Sequence, residues 1–561
     1  MADMKKPNFL IVVADDLGFS DIGPYGGEIK TPTLDKIAKE GVRMTNFHTA
    51  PSCSPTRSML FSGTDNHIAG VGQMAEFMKF KPEAFEGKPG YEGYLNYRVA
   101  ALSEILQDAG YDTIMSGKWH LGMTREFAPC SRGFNKSFAF LPGAGNHHNF
   151  EPQIDLAKGP PPQVGLAEEV WMEGDQFLDR KKDLPKDFYS TKTYTDRMIS
   201  FLKDRSAEDK DKPFFAYLPL TAPHWPLQAP KNVVAKYRGM YDEGPRKLSQ
   251  KRVKRLIELG LVPADVEPAP PIGILDPEWH DMTPEERAAS ARKMEVFAAM
   301  VDLIDQNLAR LIAYLESTGE FDNTFFLFMS DNGAEGLLLE ALPLMGFPGD
   351  IGDAIDTYYD NSLENIGERN SFTFYGPRWA CAATAPARGF KGIIYEGGIR
   401  CPCIVRYPGF GNKESAITHT FTTVMDILPT ILDLAGIPSP GNTFRGREVV
   451  SVRGKSWVPH LSSRTDSVHG DETHVHGWEL FGTCAIRKGN WKAVWIPAPR
   501  GKNIWELFNL ESDPSESHDC ATSHTDILAE LVNHWNTYFA ETGMVMIPQY
   551  AGTRRLLSSS I

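Results

Sequence analysis

Four short runs of β-branched, aromatic and aliphatic residues, at 9–13, 111–116, 214–218 and 324–329, alternate along this chain with stretches of helical periodicity. A strand buried on both faces is apolar throughout, whereas the helix that returns the chain to the next parallel strand is apolar on one side only, so this alternation predicts an α/β fold with a largely parallel sheet. Val99, Leu102, Leu106 and Ala109 recur at helical spacing before Gly110 stops the helix and the second run begins. Thr283, Pro284 and Glu286 supply an N-cap, a first-turn proline and a capping-box glutamate for a long helix through Met294, Val301, Leu308 and Leu311 to Gly319. Residues 151–190 and 226–282, rich in proline and charge, read as surface insertions.

After Pro438 the pattern changes to short segments such as 484–486 and 491–496, separated by turns and followed by a helix over 525–539. The expected division is a large domain over 1–440 and a smaller α+β domain over 441–561. That is fewer units than a length of 561 residues suggests at roughly 150 residues per domain.

Charge and cysteine content narrow the function classes. Lys and Arg number 58 against 72 Asp and Glu, a net charge of −14, which leaves no basic surplus to displace counterions from nucleic acid and argues against anionic membranes. The apolar run Phe9 to Ala14 is too short for a signal-peptide core, and no 18 consecutive apolar residues occur. A soluble, cytoplasmic protein is expected, with neither nucleic acid nor membrane as partner. Seven cysteines at irregular spacing do not form a disulfide framework, which fits a reducing compartment.

Two strand ends carry paired oxygen ligands. Asp15 and Asp16 follow the first apolar run, and Asp331 and Asn332 follow the fourth, at the carboxyl edge where open α/β sheets place their ligands. Adjacent buried carboxylates repel unless a cation holds them, and a donor set of oxygens selects a hard cation; Ca²⁺ tolerates irregular ligand sets better than Mg²⁺.

The segment Pro51-Ser-Cys-Ser-Pro-Thr-Arg-Ser-Met-Leu-Phe-Ser-Gly63 is the most specific feature. Cys53-Ser-Pro55-Thr-Arg57, followed by Ser62-Gly63, resembles the type I sulfatase signature, C-x-P-x-R with a later Ser/Thr-Gly. Lys118-Trp119-His120 within GKWHLG resembles the second signature of that family, and His224 in TAPHWP and Lys391 before EGGIRCP match its other histidine and lysine. The similarity runs from PNFLIVVADDLG through MDILPTILDLAG to GWELFGTCAIRKGNWKAV and looks closest to bacterial arylsulfatases.

The resemblance implies a large mixed sheet sandwiched by helices, as in alkaline phosphatase, with a small C-terminal sheet domain. It implies that a separate maturation enzyme oxidises Cys53 to formylglycine, whose hydrate attacks the sulfur of a small sulfate ester and forms a formylglycine sulfate. A geminal diol expels sulfate by re-forming its carbonyl, an exit that a thiol lacks. The implied metal ligands, for one Ca²⁺ per subunit, are Asp15, Asp16, Asp331, Asn332 and residue 53. Arg57, Lys118 and Lys391 would supply positive charge, His224 would assist the departing oxygen, His120 would aid sulfate release, and Asp331 would activate the attacking hydroxyl. Two other readings stand beside arylsulfatase. One is a formylglycine-dependent phosphonate monoester hydrolase or phosphodiesterase, a branch in which histidine follows the strand-end aspartate where this chain has Asn332; the other is a non-catalytic binder of sulfated ligands with Cys53 unmodified.

Further features invite weaker readings. Asp471, Glu472, His474 and His476 read as a surface turn, and Cys401 and Cys403 as packing residues. His147 and His148 fit either a pocket wall or a solvated loop. Residues 333–390 lie between two parts of the site and are expected to overhang it, with Tyr358, Tyr359, Phe374, Tyr375 and Trp379 shaping substrate choice.

Overall fold

The computed structural model describes residues 6–79, 82–155, 170–272, 277–336, 351–411, 413–470, 472–498 and 501–545. A ten-stranded mixed sheet dominates, in the order Ala416–Thr418, Val42–Met44, Cys403–Arg406, Thr324–Ser330, Asn8–Ala14, Phe214–Pro219, Asp112–Lys118, Lys136–Phe140, Trp171–Glu173 and Gln176–Phe177. Its centre is parallel: Asn8–Ala14 pairs in parallel with both Thr324–Ser330 and Phe214–Pro219, and the latter with Asp112–Lys118. Cys403–Arg406 and Trp171–Glu173 run antiparallel to their neighbours and make the sheet mixed.

The four apolar runs are the four central strands, and all their residues are buried because helices cover both faces. Odd-numbered positions of the first strand, Phe9, Ile11 and Val13, join one core, while Leu10, Val12 and Ala14 join the other. The second of these cores includes most of the helix Pro284–Ser317, which starts as its sequence predicts. The Thr283 hydroxyl accepts from the Glu286 N–H at 3.2 Å, and the Glu286 carboxylate accepts from the Thr283 N–H at 2.7 Å.

The two supposed insertions are structural. Trp171–Glu173 and Gln176–Phe177 extend the main sheet, and Trp171 and Met172 are buried. The helix Pro245–Glu258 buries Leu248, Val253 and Leu256 together with Arg252, which reaches Asp21 and Glu28 in the loop after the first strand.

Beyond the main sheet, Val475–Leu480, Thr483–Lys488, Trp491–Trp495 and Trp505–Asn509 form an antiparallel meander backed by the helix Thr525–Thr542. One face carries Cys484, Ile486, Ala493 and Leu507 toward Leu531 and Trp535 of that helix. Trp478, Ala485, Val494 and Phe508 face the large core instead. Residues 449–461, including Val449, Trp457 and Leu461, pack into the other core of the main sheet, the one that holds Phe9, Ile11 and Val13. All seven cysteines are free thiols, and Cys401 and Cys403 sit in the core as expected. No helix among the described residues is long and apolar enough to cross a membrane.

Candidate active site

Parallel pairing brings the strand ends together. Ala14 is in register with Ser330, so Asp15–Asp16 and Asp331–Asn332 leave the sheet side by side, and the Asp331 N–H donates to the Ala14 carbonyl at 3.2 Å. Lys118 is the last residue of its strand, His120 follows two residues later, and His224 lies five beyond Pro219. All ten residues singled out from the sequence are buried in this one region.

Cys53 begins the helix Cys53–Ser62, every residue of which is buried. Arg57 is four residues on, which on a helix is the same face, so the C-x-P-x-R spacing aims thiol and guanidinium at one point. The guanidinium donates twice to Asp331 Oδ2, at 3.0 and 2.7 Å, and once to the Lys118 carbonyl at 2.8 Å. Lys118 Nζ lies 2.6 Å from Asp15, and Lys391 Nζ lies 2.7 Å from Asp16 and 3.1 Å from Glu335. The Asn332 amide donates to Asp16 at 2.7 Å, and His224 Nε2 is 3.4 Å from Asp16. The Cys53 sulfur is 3.3 Å from His120 Nδ1.

Two of these residues hold left-handed backbone conformations, Asp16 at φ 71° and His120 at φ 56°. Such strain persists where the surroundings over-determine it, often at functional sites. Gly143 makes room for the second: a Cβ there would stand 2.5 Å from the His120 ring.

Electrostatics divide the site in two. Burial pushes the Cys53 thiol up, but Lys118, His120 and Lys391 outweigh it and bring the group down to about 5. Burial opposes charge on His120 too, yet the Cys53 sulfur and Glu76 raise it to about 9. On the other side, burial raises the Asp16 carboxyl despite Lys391, with Asp15, Glu335 and Asp331 adding repulsion. Burial and Asp15 likewise raise Asp331 against the pull of Arg57 and Lys118. His224 is lowered by burial and by Lys391 and Lys118, and its Nδ1 donates to the Trp225 carbonyl at 2.7 Å, which leaves Nε2 facing the carboxylates.

The carboxylate half fits a metal ion. Asp15 Oδ1 and Asn332 Oδ1 are buried without a hydrogen-bond partner, a costly state that a cation would relieve. Ligand atoms of Asp15, Cys53 and Asp331 lie within 4.8 Å of one another, as do those of Asp15, Asp16 and His224. Asp15, Asp16, Asp331 and Asn332 would hold the ion, with residue 53 at its edge.

Three neighbours were not anticipated in these roles. Glu76 accepts from His120 Nε2 at 3.1 Å and is held down to about 2, chiefly by His120 against the opposing effect of burial. Glu335 flanks Lys391 four residues after Asp331, a spacing that offered a faint signal. His147 is a buried support, bonded through Nε2 to the His224 carbonyl at 2.8 Å and through Nδ1 to Ser190 at 2.7 Å. Of the proposed aromatic overhang, Tyr375 and Trp379 instead belong to the core, against Phe297 and Tyr241. Residues 337–350 of that segment lie outside the described residues.

The family model "Sulfatase" matches residues 7–437, and the model "N-sulphoglucosamine sulphohydrolase, C-terminal" matches 390–539. An uncharacterized sulfatase of Schizosaccharomyces pombe is 54% identical, over 98% of this chain and 96% of its own length. An arylsulfatase of Klebsiella aerogenes is 36% identical over 81% of this chain and 92% of its own. An N-acetylgalactosamine-6-sulfatase of Mus musculus is 26% identical over 93% and 78%. Among solved structures, Ps i-CgsB superposes with a TM-score of 0.66 at 22% identity, covering 98% of this chain and 96% of that one. The PsFucS1 sulfatase from Pseudoalteromonas sp. gives 0.58 at 20%, over 97% and 92%; at such identities the likeness concerns the fold alone. With a family match across the strands that build this site and a relative more than half identical along nearly the whole chain, this protein belongs to the sulfatase family and is a sulfuric ester hydrolase.

Proposed function

We propose that the chain is an arylsulfatase, hydrolysing sulfate monoesters of phenols, with Cys53 oxidised to formylglycine by a separate maturation enzyme and Ca²⁺ held by Asp15, Asp16, Asp331 and Asn332. The observation that carries the aryl preference is a chain of aromatic rings beginning beside His224. Trp225 lies 4.5 Å from the His224 ring at a tilt of 44°, Phe372 lies 5.7 Å from Trp225, Tyr359 lies 5.1 Å from Phe372, and Phe150 lies 6.0 Å from Tyr359. Trp225, Tyr359 and Phe150 are only half-buried, so ring faces are available to an aromatic leaving group next to the histidine that serves its oxygen.

The cation, when bound, withdraws charge from the sulfuryl oxygens; the hydrated aldehyde provides a hydroxyl that sulfate can later leave. This chain's side chains do the rest. Arg57 fixes Asp331 through two hydrogen bonds, and Asp331 accepts the proton of the attacking hydroxyl. Lys118 and Lys391 hold Asp15 and Asp16 in place while contributing positive charge for the sulfuryl group. His224 Nε2 serves the departing oxygen, its ring fixed through Nδ1 by the Trp225 carbonyl. His120, held as a cation beside Glu76 and facing residue 53, aids the release of sulfate through its charge.

Two measurements test this. Mass spectrometry of the peptide containing residue 53, from the native host, should find formylglycine; cysteine alone would refute the mechanism. Turnover of 4-nitrophenyl sulfate should exceed that of an alkyl sulfate and of a phosphonate monoester. The double substitution Trp225→Ala, Phe372→Ala should lower the aryl-to-alkyl ratio about tenfold, corresponding to loss of about 1.4 kcal/mol of ring contact. An unchanged ratio removes the basis for the aryl assignment.

A further inference from the structure

Lys391, one of the cations of the active site, sits on a loop that the C-terminal meander holds from behind. The loop is tightly folded. The Lys391 N–H donates to the Ala334 carbonyl at 3.0 Å, that of Gly392 to Pro51 at 2.7 Å, and that of Gly397 to Arg388 at 2.8 Å. A Cβ on Gly397 would stand 2.2 Å from the Gly389 carbonyl oxygen, and one on Gly398 1.9 Å from that of Ile393. With backbone against backbone at this range, residues 388–398 shift together or not at all.

Three groups of the C-terminal region grip this loop. The Ser515 carbonyl accepts from the Arg388 N–H at 3.1 Å. Glu506, on the strand Trp505–Asn509, accepts from the Tyr395 hydroxyl at 2.5 Å, and its other oxygen lies 3.5 Å from Arg388. The third is Lys492, fully buried in the strand Trp491–Trp495. Its Nζ lies 2.8 Å from Glu396, 2.9 Å from Glu516 and 5.7 Å from the centroid of the Trp478 ring. Glu396 follows Lys391 by five residues, is held on its other oxygen by His48 Nε2 at 2.9 Å, and donates its N–H to Glu516 at 2.5 Å. Glu516 has a left-handed backbone, φ 59°, a strain that its surroundings impose. Burial pushes Glu516 up to about 7 against the pull of Lys492. Glu396, despite burial, is held well below the usual carboxylate range by Lys492 and His48, so the ion pair proper is Lys492 with Glu396.

An ion pair taken fully out of water is a costly way to join two layers, and apolar side chains would do so with less loss. What the pair adds is direction: Lys492 has fixed partners on one short turn of the loop, where apolar contacts would tolerate sliding. We infer that Lys492 is a positioning residue for sulfate ester hydrolysis: by clamping Glu396 it sets the place of Lys391 Nζ beside Asp16 and the sulfuryl group, and so makes the meander part of the catalytic apparatus. The inference rests on the role given above to Lys391.

Lys492→Met should lower kcat of the mature enzyme for 4-nitrophenyl sulfate at least tenfold and leave KM within about threefold, because a displaced ammonium still attracts the anion but misses the alignment the transition state requires. Lys391→Met removes the charge itself. It should lower kcat, raise KM and weaken binding of inorganic sulfate in calorimetry about tenfold, whereas Lys492→Met should keep sulfate affinity within about threefold. Added to Lys391→Met, Lys492→Met should cost less than about twofold more in kcat, since both act through one group. Leu531→Ala, a cavity on the opposite face of the same meander, controls for lost stability and should lower the melting temperature without changing kcat. If Lys492→Met does not fold, the charge-balanced pair Lys492→Met, Glu516→Gln carries the same test. An unchanged kcat in the folded variant, independent losses in the Lys391→Met background, or an equal loss in Leu531→Ala overturns the inference. Wild-type kinetics of Lys391→Met alone would refute the sulfuryl role of Lys391, and this inference with it.

Discussion

Substituting His67 should make the stability of this protein lose much of its dependence on pH between 6 and 9.5. His67 sits in the short helix Asn66–Ala69 and is fully buried between two carboxylates, Asp65 at 2.8 Å and Glu479 at 3.0 Å. Glu479 belongs to the first strand of the C-terminal meander, and Asp65 also accepts from Tyr538 of the final helix at 2.5 Å, so the imidazolium ties three segments together. Burial opposes its charge, but Asp65 and Glu479 outweigh that and raise it from 6.5 to about 9. At 1.36 kcal/mol per tenfold change in proton affinity, this preference for the folded state amounts to about 3 kcal/mol. Below pH 6.5 folded and unfolded chains both carry the proton and the stabilisation is complete. Between 6.5 and 9 the unfolded chain loses its proton first, and above 9 the contribution is gone. Asp65, held below the ordinary carboxylate range by His67 despite burial, stays ionised throughout this window and does not confuse the reading. Urea unfolding of the wild type and His67→Gln at pH 6 and pH 9.5 gives the measurement. The stability gap between them should shrink by about 3 kcal/mol on going to the higher pH, or by about 2–3 °C in melting temperature for a cooperative unit of this length. A gap of equal size at both pH values would mean that folded His67 is neutral, and would refute the reasoning.

Other perturbations address the site and its supports. Gly143→Ala should lower kcat for 4-nitrophenyl sulfate about a hundredfold with little change in far-UV circular dichroism, because the new methyl group displaces the His120 ring rather than the fold. Asn332→Ala should weaken Ca²⁺ binding in calorimetry by at least tenfold, since it removes a buried oxygen that has no other partner. Arg252→Met should cost about 3–5 kcal/mol in urea unfolding by leaving Asp21 and Glu28 without their cation, although neither touches the active site.

Legibility from sequence followed physical locality. The four central strands are apolar on both faces and need no partner to be recognised, and Asp15, Asp16, Asp331 and Asn332 were visible because each pair directly follows such a strand. The helix Pro284–Ser317 was equally plain, since its cap lies within three residues of itself. Elements whose stability comes from elsewhere were hidden. Pro245–Glu258 reads as a polar insertion because its buried face includes Arg252, whose compensating charges lie more than two hundred residues earlier. Glu76 sits on a four-residue helix with no periodic signal, and only folding sets it against His120. Aromatic residues in 333–390 carry no direction in sequence, so Phe372 beside Trp225 and Trp379 in the core looked alike. The run Asp471, Glu472, His474 and His476 reads as a surface turn, yet His476 is buried in the first strand of the meander; Asp471 lies outside the described residues.

Charge bears on how an acidic protein comes to bind an anionic substrate, and on what a divalent cation would add at this site beyond its chemistry. The net charge of −14 disfavours anions over the surface at large. At the site, three cationic side chains, Arg57, Lys118 and Lys391, face four carboxylates, Asp15, Asp16, Asp331 and Glu335, so the side chains alone leave an excess of one negative charge. His120 and Glu76 cancel as a pair. A sulfate ester brings one more negative charge into this buried setting, where repulsion is weakly screened. A divalent cation reverses the local sign to a surplus of one positive charge, which matches a monoanionic ester. Inorganic sulfate should therefore bind measurably to the Ca²⁺-loaded protein and at least tenfold more weakly after chelation, as followed by calorimetry at low ionic strength. Equal affinity in both forms would show that the lysines suffice, and that the carboxylates are neutralised by protons instead of by metal.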